Sequence, residues 1–414
     1  MKKNILSAML LGLMLMTAAC SEDDDSIVPV SENTNTPVNA TKTVLIYMAG
    51  RNDLSSALMD DLREVKEGSK SLQPHDNLIV FVRNSQEPQP WVARISNGEV
   101  TDSVSLSDLG IRSSDGQNRA SDPAVMKGVI SYAFTHYPAT SGHYGLVIEG
   151  HGNGWLMKNE VKPRSRAALI DCGENDSFDE GRWINVPTMA SILKGLPHLK
   201  FIMTDCCNML CLENLYELRH VCDYMIGSPA EIPGCGAPYD QIVKDMFSDG
   251  QFYTSIIDKY YESVFGTLPL VAVKTSEMEN VAHATRTALQ AISQTMGTSY
   301  PDMTGIIHYY HTDDGKDFHP EYNIFYDAGD FMRTFASADV YQQWRQALDR
   351  AIIEKRMSTR WITSEPWSRK YADFTVTAEK FHGVSMFIPQ DPTKGNYAKY
   401  NEDIKFMAWY AATN

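Results

Sequence analysis

A histidine and two adjacent cysteines stand at the ends of two hydrophobic segments of the chain. His151 lies between glycines in LVIEGHGNGW, and Cys206 and Cys207 close the segment FIMTDCC. A thiolate can attack a carbonyl carbon while an imidazole returns a proton to the leaving group. These residue types can therefore carry acyl transfer through a thioester, but they leave open which cysteine would be the nucleophile.

The cysteines have three other interpretations. A zinc site would use Cys206, Cys207, Cys211 and His220. These residues lack the paired C-x2-C spacing of structural zinc sites, and one helix cannot bring all four to a tetrahedral point. Disulfides are disfavoured because adjacent side chains on a helix point apart, and small hydrophobic packing is the third role. Five of the six cysteines after Cys20 are crowded into one stretch, which favours free thiols.

Six nearly continuous hydrophobic segments are predicted to be strands buried on both faces of a sheet. They are residues 43–49, 77–84, 144–150, 200–206, 224–230 and 270–276. Helical patterns separate them, as in residues 52–68, which begin with an Asp53 cap, and 208–221, directly after the cysteines. This alternation predicts an α/β fold with a parallel sheet, interrupted by a hairpin at Asn97-Gly98.

The predicted strands bring the candidate residues to one place. The carboxyl ends of parallel strands meet at one edge of a sheet, so His151 and the cysteine pair are expected on the same edge. Gly150 and Gly152 let the backbone turn sharply there and approach a substrate closely. A cysteine at the start of a helix would also be favoured as the thiolate.

The N-terminus resembles a bacterial lipoprotein signal. Two lysines, an apolar stretch at residues 5–16 and small residues precede Cys20, with Thr17 as the one departure from the usual pattern. We expect residues 1–19 to be removed and Cys20 to carry lipid. The acidic residues that follow resemble a tag that exports lipoproteins to the cell surface, although a solvated linker has the same composition. The expected location is the outer membrane or cell surface of a Gram-negative bacterium.

The remaining chain is predicted to hold a tether and one large domain. Residues 20–41 are acidic, rich in serine, threonine, asparagine and proline, and have little to bury. Residues 42–414 are expected to be globular, with a C-terminal subdomain from about 276 to 414 whose last strand, 383–389, could rejoin the main sheet.

The charge of the chain restricts its partners. The formal net charge is −15 over 414 residues, and no basic stripe is visible. Such a surface repels nucleic acid and anionic lipid headgroups, so we expect no nucleic-acid partner and membrane attachment only through the lipid on Cys20. An acidic protein can still steer cationic substrates towards itself.

Motifs spread along the whole domain resemble the clostripain-type cysteine peptidases, relatives of caspases, gingipains and legumain. They are TVLIYMAGRNDLSSALMDDLREV at the start, HGNGW (151–155), DCCNM (205–209), GVSMFIP (383–389) and YAKYNEDIKFMAWY near the end. The resemblance implies a caspase-like α/β/α sandwich with a mostly parallel central sheet, acting on protein or peptide substrates without a cofactor for the chemistry.

The resemblance also implies a role for individual residues. The family pattern is aspartate, a small residue and then the nucleophile, which makes Cys207 the nucleophile and Cys206 a packing residue, like Cys211. His151 matches the catalytic histidine, and no third carboxylate is needed. The backbone N–H groups of Gly152 and Cys207 would form the oxyanion hole.

Specificity for arginine or lysine at P1 is implied as well, because Asp205 matches an acidic residue of the S1 pocket in the family. Asp205 could equally cap the following helix. Relatives commonly carry another acid and a Gly-Trp pair where this chain has residues 235–237, so a second acid would be missing or supplied by Glu231 or Asp240.

Family members are made as zymogens, which implies self-cleavage between the histidine and cysteine motifs. Arg164 and Arg166 lie in a polar, loop-like stretch there, although such stretches are also common as plain surface loops. Cleavage would leave a monomer of two chains. Calcium supports some relatives, but the Asp-rich residues 311–319 lack the spacing of a calcium loop, so no metal ligand is assigned.

Two other functions compete with the peptidase. A catalytically silent surface-binding lipoprotein on the same scaffold is compatible with the altered loop at 235–237, although His151 and Cys207 are both intact. A cysteine hydrolase or transpeptidase of different specificity is the other.

Overall fold

A computed structural model describes residues 38–87, 89–157, 168–178, 180–297, 299–309, 324–365, 368–373 and 375–414. The predicted leader, Cys20, most of the tether, Arg164, Arg166 and the stretch 311–319 lie outside these ranges. Within the described ranges, no helix is long and apolar enough to cross a lipid bilayer.

A nine-stranded sheet forms the middle of the molecule, in the order β12-β10-β9-β8-β5-β1-β2-β3-β4. The strands are β1 Ala40–Gly50, β2 Asp76–Asn84, β3 Trp91–Ser96, β4 Glu99–Ser105, β5 Ala139–Glu149, β6 Ala168–Asp171, β7 Arg182–Ile184, β8 Leu199–Asp205, β9 Cys222–Gly227, β10 Leu270–Lys274, β11 Tyr326–Asp327, β12 Ile352–Arg356, β13 Arg360–Glu365, β14 Ser368–Asp373 and β15 Ser385–Met386. The central strands β9, β8, β5, β1 and β2 are parallel. Antiparallel β3 and β10 flank them, and the outermost β4 and β12 return to the central direction.

Helices cover both faces of this sheet. They are α1 Ser55–Ser69, α2 Pro123–His136, α3 Val186–Leu193, α4 Leu212–Leu218, α5 Tyr239–Met246, α6 Phe252–Ser263, α7 Met278–Met296, α8 Ala328–Phe335, α9 Ala338–Ala351, α10 Tyr397–Asp403 and α11 Ala408–Thr413. Along β1, Leu45 and Tyr47 join a core with α2, α3, α4, α7 and α9, whereas Val44 and Ile46 join a core with α1, α5 and α6. The alternation of side chains along each strand thus produces a three-layer sandwich, as predicted.

The six predicted strands are all present, but the sheet is less uniform than expected. The predicted strand at 270–276 is β10, which runs antiparallel to β9. The predicted closing strand at 383–389 is only Ser385–Met386, and it pairs with β11 instead of rejoining the main sheet. It is β12 that carries the C-terminal region into the sheet. The hairpin at Asn97-Gly98 is confirmed, with positive φ at both residues.

Two predicted helix starts are wrong. Helix α4 begins at Leu212, because residues 207–210 form a turn that is bonded to another loop. The amide of Asn208 donates to the Ala230 carbonyl at 2.9 Å, and Asn208 itself has φ of +60°. Helix α1 begins at Ser55 without a capping side chain, so Asp53 does not cap it.

Candidate functional site

The loops after β5 and β8 meet at the carboxyl edge of the sheet. The two strands are parallel, and Glu149 is paired with Asp205 at their ends. The chain then turns through Gly150, whose φ is +141° and whose amide donates to the Asp205 carbonyl at 3.4 Å. A Cβ atom on Gly152 would lie 2.8 Å from the carbonyl oxygen of Cys207 and 3.1 Å from its amide nitrogen. Glycine is therefore required for the histidine loop to lie against the cysteine loop.

His151 is held by groups from three parts of the chain. Its Nε2 lies 2.6 Å from Oδ1 of Asp53, in the loop between β1 and α1. Its carbonyl accepts a hydrogen bond from the amide of Leu169, and its ring lies 6.0 Å from the ring of Phe178. With Nε2–H assigned as the donor to Asp53, the lone pair is on Nδ1. The imidazole is thus oriented by a carboxylate that the sequence assigned to helix capping.

Cys207 is half-buried in the turn after β8, and Ile232 contacts its sulfur. The Ile232 amide donates to Sγ at 3.3 Å, and the Ile232 carbonyl lies 3.9 Å from the same sulfur. A thiolate accepts such an N–H more strongly than a thiol does. The helix-terminus argument does not apply, because α4 begins five residues later at Leu212.

Cys206 points away from this site into the core. Its Sγ donates to the Ile148 carbonyl at 3.3 Å, and only 1% of the residue is exposed. Burial raises the pKa of the Cys206 thiol well above its ordinary value, and the carboxyl of Asp205 adds to this. A buried neutral thiol is the packing role that was expected for Cys206. Cys211 is buried in the same core.

Asp205 lies on the face of the sheet opposite to Cys206, among α1, α5 and α6. Its Oδ2 accepts from the Ala237 amide at 2.8 Å and the Tyr239 hydroxyl at 3.1 Å, and its Oδ1 accepts from the Tyr260 hydroxyl at 2.6 Å. These bonds replace the predicted helix-capping role. Burial raises the pKa of Asp205, although all three donors act to lower it.

The two other acids considered for the S1 pocket lie in different surroundings. Glu231 is buried and its backbone forms a bridge with Ile362. Asp240 is exposed in the first turn of α5. The acid that lies beside Asp205 is instead Asp61 of α1, which had no predicted role; both carboxyls approach Gly236.

In the described part of the chain, no group of three histidine, cysteine or acidic residues is placed to hold a metal ion. The Asp-rich residues 311–319, to which no calcium ligand was assigned, lie outside that part. The described site therefore consists of an oriented imidazole, a half-buried thiol and nearby backbone amides, which is the equipment of nucleophilic acyl transfer.

Comparison with known families agrees with this chemistry. The family model described as "Clostripain family" matches residues 46–414, a range that contains both His151 and Cys207. The chain belongs to the clostripain family. It is a cysteine-type peptidase by that membership, and the expected caspase-like fold is confirmed.

Relatives in the clostripain family span different shares of the chain. Clostripain of Hathewaya histolytica is 25% identical over 240 residues, which are 51% of this chain and 43% of that protein. The chain thus matches less than half the length of this curated relative. A secreted C11 cysteine protease of Bacteroides thetaiotaomicron, solved with an irreversible peptide inhibitor, is 28% identical with a TM-score of 0.73 over 91% of this chain and 99% of that one. An inactive zymogen C11 protease of Parabacteroides distasonis is 25% identical with a TM-score of 0.70 over 94% and 99%.

Sequence reasoning did not predict that four residues lie around His151, Cys207 and Asp205. They are Asp53, Asp61, Glu149 and Ile232. A signal existed for Glu149, because it is the acid near the end of a predicted strand two residues before His151, just as Asp205 lies near the end of one two residues before Cys207. Glu149 and Asp205 are paired across the parallel strands β5 and β8, so their side chains point to the same face of the sheet.

Proposed function

We propose that the protein is a cysteine endopeptidase that cleaves after arginine or lysine at P1 through a His151–Cys207 dyad. The observation that carries the proposal is the close packing of Gly152 against the backbone of Cys207, which joins the histidine and cysteine loops. A catalytic dyad from two neighbouring strand ends needs this contact, whereas a binding scaffold does not.

The reaction follows from the groups at this edge. The Cys207 thiolate attacks the carbonyl carbon of the scissile peptide, and the N–H groups of Gly152 and Cys207 stabilise the oxyanion. The C–N bond breaks as His151 gives a proton to the departing amine, which leaves a thioester on Sγ. Water, deprotonated by His151, then attacks the thioester and releases the acid. Asp53 holds the imidazole in one tautomer during both steps.

Peptide substrates are supported by the relative solved with an irreversible peptide inhibitor. The preference for a basic P1 residue is supported by Asp205, which directly precedes the cysteine pair and lies among other buried carboxyls. An arginine or lysine brought to that region would gain the pairing that a neutral side chain cannot offer.

Self-cleavage after Arg164 or Arg166 is part of the proposal. Both residues lie between the described residues Met157 and Ala168, and the relative from Parabacteroides distasonis is an inactive zymogen. The next described strand is bonded to the catalytic loop, since the Leu169 amide donates to the His151 carbonyl at 2.9 Å. Mass spectrometry of the split protein should find a new N-terminus at Ser165 or Ala167, absent from the doubly substituted Arg164→Ala, Arg166→Ala protein.

A lipid on Cys20 would place the enzyme on the outer membrane or cell surface. Labelled palmitate should be incorporated by the full chain in a Gram-negative host and not by Cys20→Ser. Incorporation that persists in this variant would rule out the proposed anchor.

The function is tested with the nucleophile and its neighbour as a matched pair. Cys207→Ala should lower kcat for a P1-arginine peptide by about 10⁴-fold or more, because the thiol of the neighbouring Cys206 is buried in the core and cannot replace it. Cys206→Ala should keep most of the activity. Loss of activity in Cys206→Ala with retention in Cys207→Ala would reverse the assignment, and no turnover by the processed wild type would favour the binding scaffold. A P1 panel of arginine, lysine and neutral residues tests the basic preference.

A further inference from the structure

Three carboxyl groups are buried together beside the proposed active site. Asp61 comes from α1, Glu149 from the end of β5 and Asp205 from the end of β8, and their exposed fractions are 3%, 2% and 4%. Neither carboxyl oxygen of Glu149 has a hydrogen-bond partner of regular geometry among the described residues, although Asp61 and the Tyr239 hydroxyl lie close enough to affect its pKa. Its nearest acidic neighbours, Asp61 and Asp205, both act to raise its pKa.

This carboxyl cluster, defined as Asp61, Glu149 and Asp205, has no counter-cation among the residues that the structure describes. The titratable groups around it are Glu64 on α1, Cys206 after β8, Cys235 in the following loop, Tyr239 and Asp240 on α5 and Tyr260 on α6. No lysine or arginine of the described ranges pairs with any of the three carboxyls. Buried charges are otherwise paired in proteins, so a cation that is not among the described residues is expected to pair with this cluster.

A thin segment of chain separates the cluster from the surface. A Cβ atom on Gly236 would lie 2.9 Å from Oδ2 of Asp205 and 3.3 Å from Oδ2 of Asp61, so this backbone rests directly on both carboxyls. Gly234 has open space around it, and Cys235 is exposed. The same segment supplies Ile232, which contacts the Cys207 sulfur. The cluster therefore lies under the loop that touches the nucleophile.

We infer that Asp61 and Glu149 are specificity-determining residues, which with Asp205 form the anionic floor of the P1 site and strengthen its preference for a cationic side chain as the pH rises. The inference rests on the proposed basic specificity. It assigns the further acids of the P1 site to Asp61 of α1 and Glu149 of β5 instead of Glu231 or Asp240. The ammonium or guanidinium group of the substrate supplies a positive charge that no described residue provides at this cluster.

The pH dependence follows from the crowding of the three carboxyls. Burial raises the pKa of Asp61 to about 7, and the neighbouring Asp205 and Glu64 add to this effect although Glu149 opposes it. Burial also raises the pKa values of Glu149 and Asp205. Below about pH 7 the Asp61 carboxyl is neutral, and above it the group is charged. Lysine and arginine stay protonated across this range, so their attraction to the cluster increases with pH.

Two substrates that differ only at P1, arginine and its neutral isostere citrulline, isolate this effect. The ratio of their kcat/KM values is measured from pH 5.5 to 8.5 on the processed protein. Any pH effect on the bond-breaking steps acts on both substrates equally and cancels in the ratio. One added charge near a bound cation is expected to raise the ratio by about tenfold across the range. The rise should be lost in Asp61→Asn and reduced in Glu149→Gln.

The control is Asp60→Asn, which removes the same charge from the neighbouring, exposed position of α1. It should retain the full rise. Active-site titration with an irreversible peptide inhibitor measures the folded fraction of each variant, and the wild-type profile stands even if a variant fails to fold. A ratio that favours arginine but is flat with pH in the wild type, or that still rises in Asp61→Asn, would overturn this inference alone. A ratio near one at every pH would overturn the basic specificity itself.

Discussion

Two aspartate–histidine pairs in this molecule have similar contacts and different surroundings. In the C-terminal region, Oδ1 of Asp327 lies 3.0 Å from Nδ1 of His382, and neither side chain is exposed. At the edge of the sheet, Oδ1 of Asp53 lies 2.6 Å from Nε2 of His151, with exposed side-chain fractions of 53% and 15%. The contact alone would make either pair a candidate for catalysis.

The buried pair is completed within the fold. Asp327 accepts hydrogen bonds from the amides of Gly329 and Asp330, and thereby caps α8. It also accepts from the Tyr309 hydroxyl at 2.6 Å and from the His382 amide at 2.9 Å. Burial acts to raise the pKa of Asp327, but His382 and Tyr309 together hold it below its ordinary value. Every lone pair is used in joining segments of the chain, so this pair is structural.

The edge pair leaves groups available for a substrate. Asp53 fixes one nitrogen of His151, and the loop that carries the ring lies against Cys207 through Gly152. The carboxyl cluster differs in a second way, because it is as buried as Asp327 but is paired with no cation of the described ranges. The two pairs have the same contact, so it is the surroundings of the edge pair, with a buried and poorly satisfied Glu149 nearby, that support the proposed function.

The largest expected change in stability comes from the buried pair of Asp327 and His382. Asp327→Ala should lower the free energy of unfolding by about 3–5 kcal/mol, since it leaves His382 and several buried donors without their acceptor. Urea unfolding followed by tryptophan fluorescence measures this, because Trp344 and Trp361 lie beside His382 and Tyr309. The exposed Asp339→Ala on α9 serves as a control and should change stability by less than about 1 kcal/mol. A loss below about 1 kcal/mol in Asp327→Ala would make the pair dispensable.

The ionisation of Asp61 is expected to destabilise the folded protein, in contrast to the stabilising role of Asp327. The raised pKa of Asp61 means that the folded protein holds a proton that the unfolded chain releases between about pH 4 and pH 7. Unfolding free energy should therefore fall as the pH rises through this window, by up to about 1.4 kcal/mol per pH unit for one proton. Asp61→Asn should flatten this slope, whereas Asp60→Asn should leave it unchanged. Equal slopes in the wild type and Asp61→Asn would mean that Asp61 is charged throughout.

The sequence predicted the elements of the sheet better than their directions. Near-continuous apolar segments marked all six strands, but their composition does not report whether a strand is parallel, and β10 runs antiparallel. The start of α4 was misplaced because tertiary bonds override the helical pattern. The amides of Asn208 and Leu210 donate to the carbonyls of Ala230 and Ser228, which holds the cysteine turn open.

The site was predictable where it lies on strands and unpredictable where it depends on contacts between loops. His151 and the cysteine pair were predicted at this edge because they come just after strands, and Asp205 is the last residue of β8; the choice of Cys207 over Cys206 came from the family resemblance. Asp53 was given the wrong role, because an aspartate before a helical pattern is also the usual cap, and only the fold brings it to His151. Asp61 belonged to the helical pattern, where nothing separates a buried acid from the solvated Asp60 beside it.

The smallest effect is expected for the pair of Asp53 and His151 at the edge of the sheet. Asp53→Asn should lower kcat about tenfold with little change in KM, since the amide can still pack beside His151 but no longer favours one tautomer as strongly. Stability should change by less than about 1 kcal/mol, because more than half of the Asp53 side chain is exposed, at 53%. Asp176→Asn is the matched control, as a similarly exposed aspartate that pairs with Arg51. A stability loss like that of Asp327→Ala, with unchanged kcat, would make both pairs structural and leave His151 to act without an orienting carboxylate.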